Sequence, residues 1–237
     1  MNRRFRLSLI AGAVLMLPLV ATMSDADAQS AQPPAAAAAT VTTPAAAPQA
    51  AESADATVKR AVDGVTSAIN ADKSIQQGDR GRITQLVDNK IVPFVNAEAM
   101  TQRAVGPNWA KATAEQKQQL IQEFKMLLIN TYAGAFTAYK PESKVEFKPG
   151  RASGDTATVR STVIGAARDP IPIDYYMEKQ GDGAWKLVDL AVYNARLVEL
   201  YKTQFNAAIA QGGVDGLIRD LKAKNASGGG GSSTAKS

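Results

Sequence analysis

The spacing of apolar residues changes sharply at Lys144, from a period near 3.6 to a period of two. A helix returns to the same face every three to four residues and a strand every two, so each period admits one kind of element. Val58, Val62, Val65 and Ile69 recur at helical spacing. After Gly78-Asp79 the same pattern resumes in Ile83, Leu86, Val87 and Ile91, until Pro93. Asn96 is placed to cap a short helix carrying Met100 and Val105, which Gly106-Pro107 ends. Thr113 and Gln116 have the spacing of a capping box. Behind them Ile121, Phe124, Leu128, Tyr132, Phe136 and Tyr139 share one face of a long helix that Pro141 stops.

From Lys144 onward, Val145 and Phe147 alternate with charges. Ala157, Val159, Ser161 and Val163 share one face of a second strand, and Ile171, Ile173, Tyr175 and Met177 one face of a third. Gly181-Asp182-Gly183 turns into a strand from Trp185 to Tyr193 that is apolar on both faces. Short links predict a twisted antiparallel sheet with one wet side. Two helices, about 196–210 and 214–224, follow on either side of Gly212-Gly213. Helices and then a meander make an α+β layer with the helices on one sheet face. The long helix and the 196–210 helix (Leu197, Tyr201, Phe205) are both expected to aim their apolar side chains at that face.

The flanks read differently. Arg3, Arg4 and Arg6, an apolar run from Leu7 to Ala21, and Ala26-Asp27-Ala28 make a secretory signal peptide with cleavage expected after Ala28. About fifteen apolar residues interrupted by Pro18 are too few for a comfortable membrane span. No Cys follows the run, so a lipid anchor on cysteine is excluded, and a periplasmic protein is expected. Residues 29–53 are Ala, Pro, Thr and Gln with almost no charge, an expected disordered tether; the Gly/Ser-rich stretch 226–237 is an expected disordered tail. One domain is left, 54–225.

Chemistry is limited by what is missing. With no Cys and no His, the chain cannot build a Ser-His or Cys-His dyad or the usual zinc sites, and no metal or cofactor is expected. The net charge of +5 falls to about +4 without residues 1–28, and no basic cluster with interleaved aromatics points to nucleic acid. Three classes of function stay open from the residues themselves. One is a carrier whose apolar stripes enclose a ligand, although the same stripes could fill one another as core. A second is an enzyme using Asp174, Asp189, Tyr132 or Tyr175, where Asp174 alternates toward solvent and Asp189 sits between Val188 and Leu190. The third is an envelope adaptor that recognises another protein.

Several stretches in order carry a resemblance: Ile91-Val92-Pro93-Phe94 with Met100-Thr101; Ala104-Val105-Gly106-Pro107-Asn108-Trp109; Pro170-Ile171-Pro172-Ile173-Asp174-Tyr175; Trp185-Lys186-Leu187-Val188-Asp189; Tyr201-Lys202-Thr203-Gln204-Phe205; and Gly212-Gly213-Val214-Asp215-Gly216. Over roughly 57–225 the chain resembles the MlaC family of periplasmic phospholipid carriers, also called toluene-tolerance auxiliary proteins. The resemblance implies a nuclear-transport-factor-2-like fold enclosing an apolar cavity, with acyl chains between sheet and helices. It implies a monomeric shuttle, without catalysis, between an outer-membrane lipoprotein-porin complex and an inner-membrane ABC transporter. That shuttle would maintain outer-membrane lipid asymmetry. The lining expected on this basis is Val87, Ile91, Phe94 and Met100, then Phe124, Leu128, Tyr132 and Phe136, then Val163, Ile173 and Tyr175, with Tyr201 and Phe205. Trp109 and Trp185 are expected to be structural. The chain departs from the family pattern at Arg196 and Leu200, where a small polar residue and an Asn are usual, so headgroup contacts would differ if those positions line the mouth.

Overall fold

Where the sequence turns at Lys144, four strands and a short fifth form one antiparallel sheet in the order β1-β2-β3-β4-β5. The computed structural model describes residues 52–228. The expected signal peptide, most of the expected tether and most of the tail lie outside the described residues. The strands are β1 (Lys144–Ser153), β2 (Thr156–Ile164), β3 (Ile171–Lys179), β4 (Trp185–Val192) and β5 (Ala195–Arg196). Register places Ala157 opposite Met177, Val159 opposite Tyr175, Ser161 opposite Ile173 and Val163 opposite Ile171, so the two apolar sets share one face. Thr158, Arg160, Asp174 and Tyr176 alternate onto the other. Two irregularities bend the sheet, one in β1 between Lys148 and Arg151 and one where β3 meets β4. At the first, a Cβ on Gly150 would come within 2.9 Å of the Thr158 carbonyl oxygen, so only glycine permits the approach.

Helices precede and follow the sheet: α1 (Ala54–Ala71), α2 (Lys73–Gln76), α3 (Arg80–Lys90), α4 (Ala97–Val105), α5 (Ala114–Ala138) and α6 (Leu197–Ala226). Local chemistry fixes their starts. Ser53 Oγ accepts from the Ala56 N–H, Asp79 from Arg82 and Asn96 from Ala99. Thr113 and Gln116 form the capping box in both directions. Two features were not legible in advance. Ile75 starts no strand or loop but sits in the one-turn α2. Tyr193 and Asn194 both have positive φ, 49° and 65°, and close a two-residue hairpin between β4 and β5.

The buried residues gather in three clusters, where a domain of this size ordinarily has one main core. In the first, Phe124 of α5 meets Tyr201 and Phe205 of α6 edge-on, each with ring centroids 5.1 Å away, beside Val105 and Trp109. The second joins α1, α2, α3 and α5 through Ile69, Ile75, Ile83, Leu86, Val87 and Ile129. The third packs Ala54 and Val58 of α1 on Ala157, Val159 and Met177 of the sheet. Thus the expectation that α5 and the start of α6 both aim their stripes at the sheet is corrected. Phe124, Tyr201 and Phe205 pack on one another and on neighbouring helices, α1 is seated on the apolar strand residues, and the first turn of α6 meets β4.

The β4–α6 junction is tied by one carboxylate. Asp189 is fully buried and accepts from the Leu190 N–H (2.8 Å), the Val198 N–H (3.0 Å) and Arg196 Nε (2.7 Å). Downstream, α6 is interrupted at Gly213, whose φ of 66° and ψ of −168° belong to a region that side chains strongly disfavour. The expected two helices are therefore the two arms of α6.

Two expectations follow for urea unfolding. Gly213→Ala lowers stability by about 2 kcal/mol, whereas Gly212→Ala, whose Cβ would meet only the Arg219 side-chain end at 3.5 Å, changes it little. Asp189→Ala removes three bonds at once and costs about 3 kcal/mol. Arg196→Ala costs less than half of that, because the Arg196 side chain is 44% exposed.

Candidate functional site

Burial of the apolar sheet face falls off along the strands. At one end, under α1, Ala157, Val159 and Met177 are buried. Toward the other end, Val163, Ile171, Ile173 and Tyr175 keep accessible surface, as do Leu190 and Val192 of β4. These last two stand opposite Tyr175 and Ile173 and so belong to the same patch. They could not be assigned from periodicity, because β4 is apolar on both faces and the irregularity beside Asp189 shifts its alternation. Within the patch the polar atoms are the hydroxyls of Ser161 and Tyr175, 3.1 Å apart. Burial pushes the Tyr175 phenol above its ordinary value although the side chain keeps accessible surface.

The long helix shows the same division. On one flank Leu120, Phe124 and Leu127 pack into the first cluster, and on another Ile129, Met126 and Ala133 pack into the second. Between those flanks Leu128, Tyr132 and Phe136 are only half-buried. The Tyr132 phenol is pushed up to about 12, by burial first and then by the neighbouring Tyr201 phenol.

The other residues named for the lining are distributed. Phe124, Tyr201 and Phe205 form the aromatic centre of the first cluster, while Val87, Ile91 and Phe136 belong to the second or its edge. Met100 is buried in α4. Phe94 lies apart, under the Arg60 guanidinium at 4.6 Å, and borders a surface cleft of about 330 Å³ with Trp185 and Glu52. A second cleft, about 480 Å³, opens on the polar sheet face among Arg103, Arg151, Tyr176, Glu178 and Arg196. Trp109 is buried in the first cluster, and Trp185 packs against the third.

The carboxylates considered for catalysis are engaged in structure. Asp189 is held by its two N–H groups and Arg196. Asp174 lies on the polar face with Arg160 directly across from it at 3.7 Å. Arg196 stacks on Tyr176 at 4.3 Å and borders the polar cleft, which puts this departure from the family pattern on the sheet side away from the apolar patch. Leu200 is one of two exposed large apolar residues among those described, with Tyr193.

Residues 59–223 match the family described as MlaC protein. A phospholipid-binding protein from Ralstonia solanacearum, solved in complex with a phospholipid, is 42% identical and superposes with a TM-score of 0.70. That match covers 75% of this chain and 99% of the other. The intermembrane phospholipid transport system binding protein MlaC of Haemophilus influenzae is 24% identical over 169 residues, 70% of this chain and 78% of the relative. A toluene tolerance protein of Pseudomonas putida is 29% identical over 130 residues, 54% of this chain and 60% of the relative. Motif order, fold and the extent of the family match agree, and the chain belongs to the MlaC family.

Proposed function

We propose that this chain is a phospholipid carrier of the periplasm, holding acyl chains between the half-buried end of the sheet face and the half-buried sector of α5. The observation that carries the reading is that patch: Val163, Ile173, Tyr175, Leu190 and Val192 stay accessible while the same face is buried under α1. Support comes from the Ralstonia relative, whose structure contains a phospholipid. Leu128, Tyr132, Val163, Ile173 and Tyr175 touch the chains, and Phe124, Tyr201 and Phe205 back that wall.

The energetics require such a cover. Two sixteen-carbon chains expose about thirty methylenes, worth about 0.8 kcal/mol each, or roughly 25 kcal/mol in water. A carrier need only match the bilayer, so an apolar wall with few polar groups suffices and loading stays reversible. The chain is exported by its leader, released after Ala28, and moves as a monomer. It passes lipid between an outer-membrane lipoprotein-porin complex and an inner-membrane ABC transporter, which keeps the outer membrane asymmetric.

Native mass spectrometry of the chain purified from the periplasm without detergent tests the reading. A bound mass equal to a diacyl phospholipid, released on denaturation, is expected; a bare mass that stays bare after incubation with liposomes removes the proposal. Ile173→Trp should cut lipid occupancy several-fold while the delipidated protein melts within a few degrees of wild type. Were the patch solid core, the added bulk would instead cost about 1–3 kcal/mol in the delipidated protein.

A further inference from the structure

The hydroxyls of Ser161 and Tyr175 are an exception on the otherwise apolar sheet side of the site. Ser161 on β2 is 2% exposed, and Tyr175 on β3 keeps accessible surface. Around them stand Val159, Ile173 and Leu190, placed there by the register of β2, β3 and β4. The 3.1 Å bond between the two oxygens is the one hydrogen bond that either makes among the described residues. Each hydroxyl carries one proton and can accept twice, so a bond between them uses one of the two protons. The other O–H has no acceptor among the described residues. Phenylalanine and alanine would fill the same volume without leaving a donor unpaired, so the pair makes sense where something else accepts. Burial holds the Tyr175 phenol protonated well above neutral pH, which keeps it a donor.

Building on the carrier reading, we propose that Tyr175, held by Ser161, donates its hydroxyl proton to an ester carbonyl oxygen of the bound phospholipid, so that the site favours ester-linked over ether-linked chains. Below the phosphate, a diacyl lipid has no other strong acceptors than its two ester groups. A dialkyl lipid of the same length offers only weakly accepting ether oxygens. A buried donor left without an acceptor is the means by which a site rejects an analogue that lacks one polar group.

The test is a competition read by native mass spectrometry. Delipidated full chain, as exported, is offered vesicles of equimolar diacyl and dialkyl phosphatidylglycerol of equal chain length. Wild type should take the diacyl lipid about fivefold to tenfold more, and Tyr175→Phe should bring the ratio near one by lowering diacyl uptake, with dialkyl uptake the internal reference. Equal uptake by wild type, or an unchanged ratio in Tyr175→Phe, overturns the inference. Uptake of neither lipid by wild type removes the carrier reading itself, and the inference with it. A second measurement needs no variant: the infrared ester C=O stretch of carbonyl-labelled lipid bound to wild type should lie at the lower, hydrogen-bonded frequency. Both carbonyl bands at the free frequency would also overturn it.

Discussion

The apolar face of the sheet extends beyond the helix that covers it. Ala54 and Val58 of α1 close off Ala157, Val159 and Met177, and past them no buried cluster includes Val163 or Ile173. The remaining architecture follows from that shortfall. α5 cannot supply the missing cover by lying down on the strands, because its flanks are committed to α6 through Phe124 and to α3 through Ile129. Three clusters replace a single core, and the side chains between them stay half-buried. Apolar surface left in that state forgoes stabilisation of about 25 cal/mol per Å². On the carrier reading, a ligand recovers it.

Around this soft centre the frame is firm. Asp189 ties the end of β4 to the first turn of α6, Tyr201 and Phe205 follow one and two turns later, and both rings meet Phe124. The backbone of the open patch is thus anchored on its β4 side by a buried, fully bonded carboxylate. Charged groups such as Arg103–Glu178 and Arg160–Asp174 are segregated to the opposite sheet face. The separation leaves the apolar patch with hydroxyls as its polar groups, which suits a ligand bound mainly by its hydrocarbon.

Much of this was legible in the residues. The change of period at Lys144, the caps at Asn96 and Thr113, the face shared by Ala157, Val159, Ser161 and Val163, and the break at Gly212-Gly213 are local signals, and local hydrogen bonding and sterics realise them. The direction of the helical stripes was not legible. Leu120, Phe124, Leu128, Ile129 and Phe136 are all apolar, but whether each meets α6, α3 or open space depends on helices distant in sequence. The Tyr193-Asn194 hairpin was missed because its first position holds a bulky residue where glycine or asparagine is the usual signal. The family resemblance supplied the carrier reading, which periodicity alone placed behind a filled core, since a stripe lining a hollow and a stripe filling one share the same spacing.

The central claim is that the side chains between the three clusters face a ligand rather than one another. A crystal structure of the chain purified without detergent tests it most directly. The account predicts continuous density for acyl chains between Ile173 and Tyr175 on the sheet and Leu128 and Tyr132 on α5. Direct interdigitation of those side chains, with no density between them, would contradict it.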